Sequence, residues 1–142
     1  MHSLASPPPQ QYGKELAAHL GLQIYVDIWP FLPSMYDHSP RCAWPHTAGE
    51  PNGPLVINFK WTDATFDQYW YDAIKNVTEE LTKEAVNQNV TTSKTPQYYN
   101  LSLDETHVGK IYHDNLKELE GIRAKYDPNK VMDRTGGFRI EF

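Results

Sequence analysis

Apolar and polar residues alternate most clearly in residues 55–61, a pattern that predicts a β-strand with one buried face. The apolar residues on that face are Leu55, Ile57, Phe59 and Trp61. Residues 23–29 are rich in β-branched and aromatic side chains and are followed by Pro30, which predicts another strand. The intervening residues 30–54 contain six prolines, so we expect only short extended pieces there.

Apolar residues recur every three or four positions after Asp63, which predicts a long helix that reaches about Asn87 with Asp63 as its N-cap. The apolar face of this helix consists of Phe66, Tyr69, Trp70, Ile74, Val77 and Leu81. A short helix is predicted at residues 14–20, because Gly21 follows at the usual position after a helix end. A strand followed by a long amphipathic helix indicates an α+β fold in which helices cover an antiparallel sheet.

A second long helix is predicted at residues 107–126, with a capping-box-like segment at 102–105 before it and a stop at 127–129. Its apolar stripe consists of Val108, Tyr112, Leu119, Ile122 and Tyr126. Asn115 falls on the same stripe and needs partners there, because burying an unpaired carboxamide costs about 1–3 kcal/mol. Two interpretations stay open for Asn115: it caps a neighbouring loop, or it contacts a bound ligand. Residues 98–100 leave the same choice between packing and ligand contact.

Composition and motif content disfavour several classes of protein, among them nucleic-acid-binding, membrane-spanning and metal-binding proteins. The 142 residues fit one domain, and 13 basic against 18 acidic residues give a net charge of −5, which disfavours a nucleic-acid partner. The sequence has no apolar run near the ~18 residues that a membrane span needs. The six histidines lack zinc-site spacing and Cys42 is the single cysteine, so we expect neither a metal site nor an internal disulfide. No phosphate-binding glycine motif or serine nucleophile motif is present.

Residues 1–12 are rich in proline and are expected to form a disordered leader rather than a signal peptide. Three glycosylation sequons, at Asn76, Asn89 and Asn100, are compatible with secretion. The cellular location stays open.

The C-terminal residues resemble the closing segment of the berberine-bridge-enzyme-like flavoproteins, which are FAD-linked oxidoreductases of the vanillyl-alcohol-oxidase superfamily. The stretches that carry this resemblance are residues 111–119, 123–132 and 135–138. Upstream, residues 96–100 are similar to the Tyr-x-Asn stretch of the family. Fungal members show a similar second half of the substrate domain, and the matching stretches here are residues 37–39, 43–46 and 53–61. The resemblance covers roughly residues 29–138.

The resemblance implies a division of the chain into a leader, a partial substrate-binding domain at residues 13–92 and a segment at 93–142 that completes an FAD domain. In the family, an N-terminal domain with a glycine-rich loop and flavin-linking residues holds most of the FAD, and this sequence lacks those motifs. The implied function is the C-terminal part of an FAD-linked oxidoreductase. It would oxidise a small secondary metabolite by hydride transfer to flavin, with oxygen as acceptor. The chain is expected to be inactive alone and to need a separate FAD-domain chain as partner.

The resemblance also implies roles for particular residues. Tyr98, Asn100 and Asn115 match positions that contact FAD. Asp37 and His38 fall near an acid/base position, although a surface turn is the favoured explanation for both. Cys42 lies in the substrate-domain portion and is not expected to link a flavin. The alternatives are a non-enzymatic remnant or binding module without flavin, and a cofactor-free enzyme that uses Asp37 and His38.

Overall fold

The computed structural model describes residues 8–50 and 53–142, with side chains from residue 11 onward. Its fold is α+β, as the sequence predicts. The helices and strands are α1 (Pro8–Glu15), β1 (Gly21–Ile28), β2 (Leu55–Trp61), α2 (Asp67–Asn87), α3 (Val108–Tyr112) and α4 (Leu116–Tyr126). No helix among the described residues is long and apolar enough to cross a membrane.

The chain divides into two compact units. Within the described residues, unit 1 comprises residues 8–29 and 55–93, and unit 2 comprises residues 30–50, 53–54 and 94–142. The predicted division placed residues 30–54 with the first part of the chain, whereas the described residues of this segment, 30–50 and 53–54, group with the C-terminal part. The physical reason is that side chains of this loop bond to the C-terminal segment: the Trp44 indole donates to the Gln97 carbonyl and the Arg41 guanidinium to the Glu118 carboxylate.

In unit 1, β1 and β2 form a two-stranded antiparallel sheet in which Ile24 lies opposite Phe59. The long helix α2 covers this sheet and buries Trp70, Ala73 and Val77. The Trp70 ring meets the Phe59 ring edge-on at 5.7 Å between centroids. Both predicted strands and the helix over an antiparallel sheet are therefore confirmed.

Asp63 caps the start of the α2 region, as predicted, because its carboxylate accepts the Thr65 N–H at 2.8 Å. One turn of 3₁₀ helix (Ala64–Phe66) comes first, and α2 ends at Asn87 as predicted. The hydrogen bonds from the Thr65 N–H and hydroxyl lower the pKa of Asp63.

The prediction of a helix at residues 14–20 is wrong in its bounds. The helix α1 ends at Glu15, and a short 3₁₀ turn (Ala17–His19) leads to Leu20, whose φ of 49° is left-handed. The expected disordered leader is also wrong for residues 8–12, which lie in α1, while residues 1–7 lie outside the described part. Packing explains this helix, since the Tyr12 ring lies 6.2 Å from the Phe59 ring.

In unit 2, the prediction of one continuous helix at 107–126 is wrong. The helices α3 and α4 are separated by a 3₁₀ turn (His113–Asn115), and His113 adopts φ 42° and ψ −123°. The predicted apolar stripe is not a buried face, since Ile122 and Tyr126 are 45% and 73% exposed. Ile111, which was not on the stripe, is instead the fully buried residue.

The ends of this helical region differ in how well they were predicted. The capping box at residues 102–105 is wrong, because the N-cap of α3 is His107, whose Nδ1 accepts the Gly109 N–H at 3.0 Å. The stop is confirmed, since α4 ends at Tyr126. The Asp127 carboxylate then accepts two backbone N–H groups, those of Val131 at 2.7 Å and Met132 at 3.1 Å.

Candidate functional site

An open cleft of about 410 Å³ in unit 2 is the candidate site. Of the ten described residues that line it, nine lie between residues 36 and 48, and the tenth is Asn115. The proline-rich segment that the sequence predicts as irregular therefore forms most of a cleft. Its volume lies in the range of small-molecule sites.

Three rings form the aromatic wall of the cleft. The Trp44 and His46 rings are nearly parallel, with centroids 6.1 Å apart and an interplanar angle of 17°. Tyr36 lies 5.0 Å from His46 and 6.0 Å from Trp44 between ring centroids. All three residues are half-buried, so each keeps part of its ring available to a flat ligand.

Trp44 ties this wall to the segment that contains the predicted residues Tyr98 and Asn100. Its indole N–H donates to the Gln97 carbonyl at 3.0 Å. Its ring meets the Tyr98 ring at 5.6 Å in an edge-on arrangement. The Gln97 N–H in turn donates to the Lys110 carbonyl at 2.9 Å, which anchors the segment to α3.

Asn115 lies in the turn between α3 and α4 and is half-buried. Its amide N–H₂ donates to the Ala43 carbonyl at 3.1 Å and to the Cys42 carbonyl at 3.3 Å. Of the two interpretations left open by the sequence, these contacts match the one in which Asn115 caps a neighbouring loop. Its predicted contact with FAD stays a prediction.

Tyr98 and Asn100 contact each other. The Asn100 amide N–H₂ donates to the Tyr98 hydroxyl at 3.2 Å, and Tyr98 is half-buried while Asn100 is exposed. Nearby on α3, burial and then the neighbouring Tyr99 raise the pKa of Tyr112, so its phenol stays protonated at neutral pH.

The structure places the two predicted acid/base residues differently. The Asp37 carboxylate lines the cleft and accepts the Gly49 N–H at 3.0 Å, where Gly49 has a left-handed φ of 77°. His38 is exposed and is not among the residues that line the cleft. The contact of Asp37 with a glycine turn matches the surface-turn interpretation.

Cys42 is an exposed, free thiol at the cleft. Its Sγ donates to the Trp44 carbonyl at 3.1 Å and lies 3.7 Å from His46 Nδ1. These bonds fold residues 42–46 into a tight loop. Among the described residues, no group of three or more His, Cys, Asp or Glu side chains is arranged to hold a metal ion.

A second, smaller cleft of about 260 Å³ lies beside the C-terminal tail. Arg123 lines it and donates to the Ile140 carbonyl and to the Asp133 carboxylate. Its Nε lies 3.8 Å from the Asp127 carboxylate. Because Arg123 is largely buried and paired with two acids, we interpret it as the residue that holds the tail against α4.

The residues at the first cleft fit part of a flavin. The flat face of Trp44 suits an aromatic ring system, and the Asn115 amide suits its polar edge. The predicted residues Tyr98 and Asn100 are not among the residues that line the cleft; Tyr98 adjoins it through its ring contact with Trp44. A pyrophosphate needs converging backbone N–H groups or basic side chains. The one basic side chain that lines this cleft, Arg41, is paired with Glu118. The fit is therefore to the ring and not to the rest of FAD.

Sequence reasoning missed Tyr36 and Trp44 as site residues. The available signal was the concentration of aromatic residues in a proline-rich segment, which is unusual for a plain linker. Comparisons with protein-family models, curated proteins and solved structures return no match to this chain. The resemblance to the flavoproteins therefore stays a prediction.

Proposed function

We propose that this chain is the C-terminal part of an FAD-linked oxidoreductase of the berberine-bridge-enzyme-like type, acting on a small secondary metabolite. The observation that supports this most is the meeting of three stretches that the resemblance assigns to the family. Residues 43–46, residues 96–100 and Asn115 are far apart in sequence and are joined in unit 2 by direct hydrogen bonds. The three stretches therefore meet around Trp44, which lines the cleft.

In this proposal the chain's own residues bind and orient. The Trp44 ring provides a flat surface for the flavin ring, and the Asn115 amide provides a polar contact at its edge. The contacts of Tyr98 and Asn100 with FAD are those that the resemblance implies. The chemistry that a bound flavin supplies is hydride acceptance. Asp37, held by the Gly49 N–H, offers a carboxylate oxygen to a substrate hydroxyl or amine at the rim.

The test is reconstitution with an FAD-binding domain that is supplied as a separate chain. The 142-residue chain is co-expressed with the N-terminal FAD domain of a fungal berberine-bridge-enzyme-like flavoprotein, and the visible flavin bands are measured after purification on a tag carried by this chain. We expect a colourless chain alone and a yellow complex with stoichiometric flavin. A yellow preparation of the chain alone would contradict the need for a partner. Failure with several well-folded FAD domains would contradict the proposed function.

A second candidate is a non-enzymatic remnant or binding module. It is favoured by one observation: the amide nitrogen of Asn115 already has two partners in its own chain. Under this alternative the cleft binds a ligand without flavin, and reconstitution with any FAD domain fails while the chain remains folded.

A further inference from the structure

We propose that Trp44 is the positioning residue of the candidate site. It lines the cleft and holds two neighbouring segments in a fixed arrangement: the Tyr98–Asn100 segment and the loop bound by Asn115. The inference deepens the proposed function and rests on it for one point, namely that this side of the cleft faces the flavin. Neither the resemblance nor the sequence pattern assigns a role to Trp44.

Trp44 and its neighbour Ala43 connect two segments, the one that contains Tyr98 and the turn that contains Asn115. Its side chain bonds the Gln97 carbonyl at 3.0 Å and packs edge-on against Tyr98. On the other side, the residue directly before it in the chain, Ala43, presents its carbonyl to the Asn115 amide at 3.1 Å. A displacement of Trp44 therefore changes both the Tyr98 ring and the acceptors of Asn115.

The backbone at Trp44 is itself held from within the loop. Its carbonyl oxygen lies 3.1 Å from the Cys42 thiol and 3.2 Å from His46 Nδ1, and both contacts restrict the peptide plane. The indole is half-buried at the cleft wall, unlike Trp70 of unit 1, which is 1% exposed and fills a core. The position of Trp44 suits orientation of neighbouring segments more than the filling of a core.

The test compares Trp44→Phe with the matched variant Trp61→Phe. Phenylalanine keeps an aromatic ring and removes the indole N–H. Trp61 is a suitable control because it is also half-buried and also donates its N–H, in this case to the Asp67 carboxylate of unit 1. Far-ultraviolet circular dichroism first establishes that both variants are folded.

The first measurement uses nuclear magnetic resonance on the nitrogen-labelled full chain without flavin. We expect Trp44→Phe to shift the side-chain amide resonances of both Asn100 and Asn115, and Trp61→Phe to leave them in place. Unshifted amides in folded Trp44→Phe overturn the inference. If that variant does not fold, Tyr98→Leu removes the other ring of the same contact. An unchanged indole N–H resonance of Trp44 in folded Tyr98→Leu then overturns the inference.

The second measurement uses the complex with an FAD domain. We expect Trp44→Phe to shift the visible flavin bands and to weaken flavin binding by about threefold to tenfold, the value of one hydrogen bond, with no effect of Trp61→Phe. A normal spectrum and affinity in Trp44→Phe overturn the positioning role while the proposed function stands. If the wild-type complex takes up no flavin, the proposed function fails, and the resonance measurement alone decides the role of Trp44.

Discussion

Unit 1 and unit 2 are each stabilised internally by a different kind of interaction. Unit 1 has an apolar core in which α2 buries Trp70, Ala73 and Val77 over a sheet. Among the described residues of unit 2, Ile111 is the single buried apolar side chain. Its segments are joined instead by hydrogen bonds from side chains to backbone carbonyls, such as those of Trp44 and Asn115.

This difference teaches where sequence patterns carry information. A helix or strand buries apolar side chains along one of its faces, so the burial in unit 1 appears in the sequence as periodically spaced apolar residues. A hydrogen bond to a backbone carbonyl needs one donor at one place, and the acceptor leaves no mark in the sequence. Unit 2 is also the unit with the cleft, which suits a site built from loops.

The largest expected effect is on the core of unit 1. Trp70→Ala should lower the free energy of unfolding by about 3–5 kcal/mol, because it removes a fully buried ring and leaves a cavity. The control is Tyr71→Ala, a neighbouring aromatic residue on α2 that is 47% exposed. Denaturant unfolding followed by circular dichroism measures both. Equal losses would mean that unit 1 has no distinct core and would remove the contrast.

A close approach of backbone and side chain gives the second prediction. A Cβ at Gly21 would lie 2.6 Å from the Trp70 ring and 2.5 Å from a Leu16 methyl group, so Gly21→Ala should cost about 1–3 kcal/mol. Gly13→Ala is the matched control, since nothing lies within 4 Å of its Cβ and alanine favours the helix α1. Thermal melts should move in opposite directions for the two variants. A shared direction would contradict the packing of Trp70 over Gly21.

The third prediction concerns the hydrogen-bonded unit. Asn115→Leu should lower stability by about 0.5–1.5 kcal/mol, because two loop carbonyls lose their donor. Asn87→Leu at the exposed end of α2 should have almost no effect. Melts of the chain are compared with flavin titration of the reconstituted complex. A stability loss with unchanged flavin binding would assign Asn115 to the fold alone, and a neutral variant would contradict its role in joining the loop.

The smallest effect is expected at the start of α2 and depends on pH. The Thr65 N–H and hydroxyl lower the pKa of Asp63 in the folded chain, so the carboxylate stabilises unit 1 above its ordinary unfolded pKa. This contribution is lost as the pH falls through the lowered folded pKa. The difference in melting temperature between wild type and Asp63→Ala should therefore be present at neutral pH and shrink in acid. A difference that is constant across this range would exclude the charge as its cause.

The predicted bounds of the strands and helices show which features apolar periodicity can and cannot predict. The bounds of β2 and the end of α2 match the prediction because apolar spacing continues to those residues and then ceases. The break between α3 and α4 was missed because nothing in residues 113–115 forbids a helix. His113 takes its unusual backbone conformation where Asn115 reaches the carbonyls of a distant loop.

The amino-acid sequence by itself determined the α+β class, both strands, the helix that covers them and the cap at Asp63, since each follows from local spacing and capping chemistry. Only the tertiary structure decided that residues 30–50 and 53–54 group with the C-terminal segment and that Trp44 joins Tyr98 to the loop of Asn115. The physical reason is the range of the interactions. Periodicity reflects contacts between neighbouring turns and strands, whereas the hydrogen bond from Trp44 to Gln97 connects positions 53 residues apart. Such a bond forms only where the tertiary fold brings the two segments together.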